Sequence, residues 1–154
     1  MALTYLAAGL PVLLAVILLS AGTEDAILRT IANWKNALIA LLAPIWWVAS
    51  GMTLWPDIAI QIGIALLVFA FFCGAFHFGQ MGGGDVKLIG ALALWFPFQS
   101  LVWMLIVMSL IGGAITLAMI VDRWRRKDPT PAEIPYGVAI AIAAMMVVPG
   151  PFIN

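Results

Sequence analysis

Seven lysines and arginines punctuate this chain, and they fall in only three of the connections between six apolar runs. The runs lie at about 2–23, 36–55, 58–78, 86–96, 101–121 and 135–152, each bounded by charge or by Pro and Gly clusters. If every run crosses a bilayer once, Arg29 and Lys35 sit in the first connection, Lys87 in the third, and Arg123, Arg125, Arg126 and Lys127 in the fifth. The N-terminus, the second and fourth connections and the C-terminus then carry no basic residue. The positive-inside rule makes the basic side cytoplasmic, so both termini face outward. One crossing more or fewer would scatter the basic residues over both faces.

Composition agrees with that reading. Of 154 residues 65% are hydrophobic and 9% charged, against about 25% charged in a soluble domain. A crossing needs about 20 apolar residues, so six of them fill the chain. The expected architecture is all-α: a polytopic integral membrane protein of about six transmembrane helices, a single domain over 1–154. The first run lacks a basic n-region and reads as a permanent helix rather than a cleaved signal. Zero net charge and no basic stripe beside exposed aromatics argue against nucleic acid. Cys73, alone in its run, excludes an internal disulfide or a Cys-based zinc site and reads as small apolar packing. A lone His77 offers no metal constellation and reads as the end of the third helix.

Finer features follow. Pro44 interrupts the second run. Trp34 and Trp124 fall at the inner boundary and Trp55, Trp95 and Trp103 at the outer one, as an interfacial belt requires, while Trp46 and Trp47 face neighbouring helices. Asp57 belongs to a solvated turn or helix cap. Asp122 and Asp128 flank the basic cluster as partners of its arginines, and that cluster meets anionic lipid headgroups. Glu133 is a first-turn charge ahead of the sixth helix. Glu24, Asp25 and Asp85 remain, all at inner helix ends.

Asp85 follows Gly82-Gly83-Gly84 and precedes a helix read from about Val86 to Phe96, where Pro97 stops it. Eleven residues span roughly 16 Å, half of the hydrocarbon thickness. With Trp95 anchored outside, Asp85 lies below the inner surface. Irregular glycine backbone at that depth requires protein or a water-filled cavity around it, and glycine permits left-handed conformations and close approach of a substrate backbone. The plainer alternative is a flexible loop with an N-capping aspartate. An intramembrane carboxylate usually faces a functional partner. Paired with Lys87 it is a helix-end ion pair; facing a carboxylate of the first helix it is a dyad. Two adjacent carboxylates share a proton and titrate together, so one can act as base toward water while the other donates to a scissile carbonyl.

The segment Gly82-Gly83-Gly84-Asp85-Val86-Lys87-Leu88 resembles the GxGDVKL motif of the prepilin peptidase family; GxGD itself is shared with presenilin-like and signal-peptide-peptidase-like proteases. Asp25 to Asn33 is similar to that family's first-aspartate segment, in which an Asp precedes by eight positions the Asn of an Ile-Pro-Asn triplet, with Ala32 here in place of proline. Ile134-Pro135-Tyr136-Gly137 resembles a third element. The resemblance implies an aspartic endopeptidase, without metal or cofactor, that removes the basic leader of a prepilin or pseudopilin at the cytoplasmic face of the bacterial inner membrane, for pilus or secretion-system assembly. Asp25 and Asp85 occupy the catalytic positions. Glu24 competes with Asp25, since neighbours on a helix point about 100° apart. Gly82, Gly83, Gly84, Lys87 and Asn33 are candidates for substrate binding or loop shaping, with Arg29 helping to position the first loop. Larger relatives carry a cysteine-bearing insertion and methylate the new terminus. Its absence here implies a peptidase without methyltransferase activity, of the short tight-adherence or Flp-pilus type. Two other classes stay open: a small proton- or cation-coupled transporter, which predicts mid-membrane carboxylates and repeat symmetry, and a non-catalytic subunit of a pilus assembly machine.

Overall fold

The computed structural model describes residues 2–127 and 134–148, with side chains from Tyr5 onward. Asp128 and Glu133 lie outside the described residues. Within them the chain forms six α-helices: α1 (Ala2–Leu28), α2 (Asn33–Ala49), α3 (Ala59–His77), α4 (Gly83–Ala93), α5 (Phe98–Arg126) and α6 (Tyr136–Met145). No strand occurs among the described residues. Three segments are long and apolar enough to cross a membrane: Tyr5–Leu28, Leu54–His77 and Phe98–Arg126. The other three helices have 17, 11 and 10 residues, short of the roughly 20 that a full crossing needs.

Length and burial are inversely related. The short α4 buries Val86, Leu88, Ile89, Ala91, Leu92 and Ala93, and α6 buries all four of its alanines. The long α3 buries only Gln61 and Ala65 and is apolar all round, which suits a helix facing lipid. α4 packs on α2, α3 and α6; α6 also packs on α1 and α5. Small residues bring these backbones together. A Cβ on Gly22 of α1 would lie 3.0 Å from Ala141 Cβ of α6, and one on Gly112 of α5 would lie 3.3 Å from the Tyr136 ring.

Three sequence expectations need correction. α2 runs through Pro44 without a break: the ring removes one backbone bond, whereas unwinding in an apolar setting would strand several. α4 starts and ends three residues earlier than the apolar run suggests, so Gly83 and Gly84 form its first turn rather than a loop. None of Gly82, Gly83 and Gly84 is left-handed, the positive-φ glycines being Gly51 and Gly79. Trp95 is not an interfacial anchor. It is 3% exposed, stacks on Trp46 with ring centroids 5.8 Å apart and donates from Nε1 to the Ile39 carbonyl at 2.8 Å.

The C-terminal end of α4 is buried and closed by side chains. Gln61 Nε2 donates to the carbonyls of Ala93 and Phe96, both at 2.7 Å, and Trp47 Nε1 donates to that of Leu94 at 2.7 Å. Buried carbonyls at a helix end must find such donors. Elsewhere, Asp57 Oδ2 accepts from the Thr53 N–H and hydroxyl at 2.9 and 2.8 Å, closing a turn, and Asp122 pairs with Arg126 at 3.0 Å. Trp34, Trp55, Trp103 and Trp124 are exposed.

Candidate active site

α1 ends where Arg29 turns the chain with φ 56°, its N–H closing the last turn on the Asp25 carbonyl at 3.0 Å. The chain then crosses to α2 through Thr30, Ile31 and Ala32. Glu24 and Asp25, adjacent in sequence, take different partners. Glu24 Oε2 pairs with Lys35 Nζ at 2.7 Å and accepts the Ala32 N–H at 3.3 Å. Asp25 is buried at 4% exposure and points at the start of α6, where Oδ2 accepts the Val138 N–H at 3.2 Å and the carboxylate also faces the Gly137 N–H. First-turn amides lack intrahelical acceptors and favour an anion. Gly137 permits the approach, since a Cβ there would lie 2.7 Å from both Asp25 Cγ and Ile31 Cδ1.

Asp85 is the third residue of α4 and 8% exposed. Its carboxylate turns back toward the Gly82 N–H, as an acidic residue at this position does in a capping box. The three preceding glycines have separate reasons to lack a side chain. A Cβ on Gly82 would sit 3.0 Å from Asp85 Oδ2, one on Gly83 would sit 3.4 Å from the Phe76 ring, and one on Gly84 would sit 3.4 Å from Ile31 Cβ. Ile31 therefore wedges between the starts of α4 and α6.

Asp25 and Asp85 line one polar cavity of about 530 Å³ together with Arg29, Tyr136 and the segment Gly79–Gly82. Lys87 and Asn33 also meet, Lys87 Nζ donating to Asn33 Oδ1 at 2.8 Å, but they line a different, largely apolar groove of about 490 Å³ between α2, α3 and α4. Lys87 thus gives its ammonium to Asn33 and lines the other groove, not the cavity that holds Asp85. His77 packs edge-on against Phe78 at 5.6 Å and does not line the polar cavity. Among the described residues no three His, Cys, Asp or Glu side chains cluster as a metal site.

Ala32, the residue in place of the triplet's proline, has φ −61° and ψ 130°, a φ that a proline ring also imposes. Two neighbours of the site have roles that the sequence does not show: Lys35 reads there only as an orientation charge, and Asn36 is unmarked. Lys35 and Asn36 open α2 and are 6% and 4% exposed. Their signal is polarity on both faces of a first helical turn that a tail of alanine and leucine follows.

The sequence model of the type IV leader peptidase family matches residues 12–117, more than half of the chain and inclusive of Asp25 and Asp85. No curated protein and no solved structure matches the chain.

Proposed function

The chain belongs to the type IV leader peptidase family, and on that premise we propose that it is an aspartic endopeptidase whose catalytic pair is Asp25 and Asp85. The observation that carries this reading is that these two carboxylates, sixty positions apart, line a single polar cavity while Glu24 is turned away to Lys35. The substrate is a prepilin-like protein, cut at the cytoplasmic face of the bacterial inner membrane where a basic leader waits uninserted. The whole chain acts as one transmembrane peptidase domain with six membrane-embedded helices. Gly82 lines the cavity, and Gly83 and Gly84 shape the start of α4 by letting Phe76 and Ile31 pack against it. Lys87 and Asn33 hold the start of α4 against that of α2 from the opposite side.

The dyad works with one proton between its two carboxyls. The ionised carboxylate takes a proton from water as the water oxygen bonds to the scissile carbonyl carbon. The protonated partner gives its proton to the carbonyl oxygen, forming a neutral tetrahedral gem-diol. As the C–N bond breaks, the carboxyl that took the water proton returns it to the leaving amine. The gem-diol hydroxyl passes its proton back to the other carboxylate, which restores the starting one-proton state. The α6 amides fix Asp25, and the Gly82 amide fixes Asp85, so neither carboxylate reorganises during the reaction.

Co-expression with a prepilin encoded in the same genome tests this directly. Leader loss on a gel with the wild type, absent with Asp25→Asn and with Asp85→Asn, is the expected result. Loss that survives Asp25→Asn but not Glu24→Gln would move the role to Glu24. Processing by Asp85→Asn at the wild-type level would sink the proposal.

A further inference from the structure

We propose that the first turn of α2 is a two-armed brace, in which Lys35 with Glu24 and Asn36 act as positioning residues that set Asp25 against Asp85. This rests on the dyad reading above. One arm reaches α1: Lys35 Nζ donates to the Ser20 carbonyl at 3.0 Å and pairs with Glu24 at 2.7 Å, one residue from Asp25. The other arm reaches α4: Asn36 Nδ2 donates to the Gly84 carbonyl at 3.1 Å, one residue from Asp85. Lys35 and Asn36 are consecutive, so a single rigid turn grips both aspartate-bearing helices.

The same arm fixes the connection. Glu24 Oε2 accepts the Ala32 N–H while Ala32 holds φ −61°, which a proline ring would lock covalently. Alanine leaves that angle unrestrained, and the Glu24–Lys35 pair supplies the restraint by hydrogen bonding. Ile31, which that restraint holds, wedges against Gly84 and Gly137 beside the two carboxylates.

Burial argues that the brace is not there for stability alone. The Glu24–Lys35 pair, buried at Lys35 and partly exposed at Glu24, is weak evidence of stabilisation, because apolar replacements of similar volume are often neutral where charges are buried and exposed pairs contribute little. Asn36 Oδ1 is buried with no partner among the described residues, which is unfavourable. A leucine at that position would remove the unpaired oxygen along with the grip on Gly84.

The test uses the purified full chain with a leader-bearing prepilin peptide. Glu24→Met/Lys35→Met and, separately, Asn36→Leu are expected to keep the wild-type unfolding midpoint and KM while kcat falls by up to about 10²-fold, the penalty for displacing a catalytic group by about 1 Å. Lys35→Arg should retain most of kcat. Adding Ala32→Pro to the double-Met variant should recover kcat, since the ring restores the lost restraint. Wild-type kcat in the folded double-Met and Asn36→Leu variants would overturn the brace, as would failure of Ala32→Pro to recover any activity. A second readout is independent of catalysis. With Cys73→Ser, Asp25→Cys and Asp85→Cys, a short bis-methanethiosulfonate, each end of which forms a disulfide with a cysteine and releases methanesulfinate, should bridge the two cysteines, and the bridge should be lost with Glu24→Met/Lys35→Met. Undiminished bridging there would sink the brace, whereas wild type and Asp85→Asn cleaving alike would sink only the dyad.

Discussion

The two ends of α4 face opposite demands and meet them differently. At Ala93–Phe96 the carbonyls are closed off by Gln61 and Trp47, neutral donors that reach in from α3 and α2. At Gly82–Asp85 the helix begins in a polar cavity, with a carboxylate exposed to a second carboxylate. One end satisfies every group it can, while the other keeps an ionisable group poised toward open space. In a helix of 11 residues the sealed end anchors what the reactive end must hold still. Fixing one end of a short rigid element fixes the other to within the stiffness of three turns.

Substitutions at the reactive end should therefore remove turnover and those at the sealed end should remove stability. Asp25→Asn and Asp85→Asn carry the largest effect, a loss of about 10²–10⁴-fold in kcat with little change in the thermal midpoint. Gly137→Ala comes next. The added methyl meets Asp25 and Ile31 at 2.7 Å, so stability should fall by about 1–3 kcal/mol, the usual range for overpacking. Turnover should fall with it, because the clash lies on the carboxylate; denaturation and steady-state kinetics read the two losses separately. Gln61→Leu strips the donor from two buried carbonyls and should lower stability by about 1–3 kcal/mol, with kcat per folded molecule retained at low temperature. If Gln61→Leu abolished turnover in folded protein, the division between the two ends would fail. Trp47→Phe should do least, about 0.5–1.5 kcal/mol for one neutral hydrogen bond, read as a small midpoint shift at unchanged kcat.

The division also marks what the sequence discloses. Asp25 and Asp85 are legible because carboxylates are rare in so apolar a chain, and the motif around each is local. Gly137 is legible as part of Ile134-Pro135-Tyr136-Gly137, though only the fold gives its reason, the approach of Asp25 to α6. The sealed end is not legible. Gln61 and Trp47 act on carbonyls 32 to 47 positions away, and nothing in their own neighbourhoods indicates a helix end to close. Trp95 resembles an interfacial anchor in the sequence because a tryptophan two residues before a proline at the end of an apolar run has the same pattern whether it faces headgroups or a stacked Trp46. Helix lengths are hidden in the sequence for a related reason. Hydropathy marks where a chain avoids water and not where it is wound, so the 135–152 run is helical only over Tyr136–Met145 within the described residues. Lys35 reads in the sequence only as an orientation charge, as a lysine near a membrane boundary ordinarily does, and Asn36 is a neutral side chain that no local motif marks.

The most direct test of the account is the pH dependence of kcat/KM for purified wild-type protein acting on a leader-bearing peptide. A dyad that works with a single shared proton requires one carboxyl ionised and one protonated, so the profile should be bell-shaped, and the residual activity of either Asn variant should lose the bell. A rate that rises or falls through only one limb, or a bell that persists in Asp85→Asn, would contradict a catalytic pair made of Asp25 and Asp85.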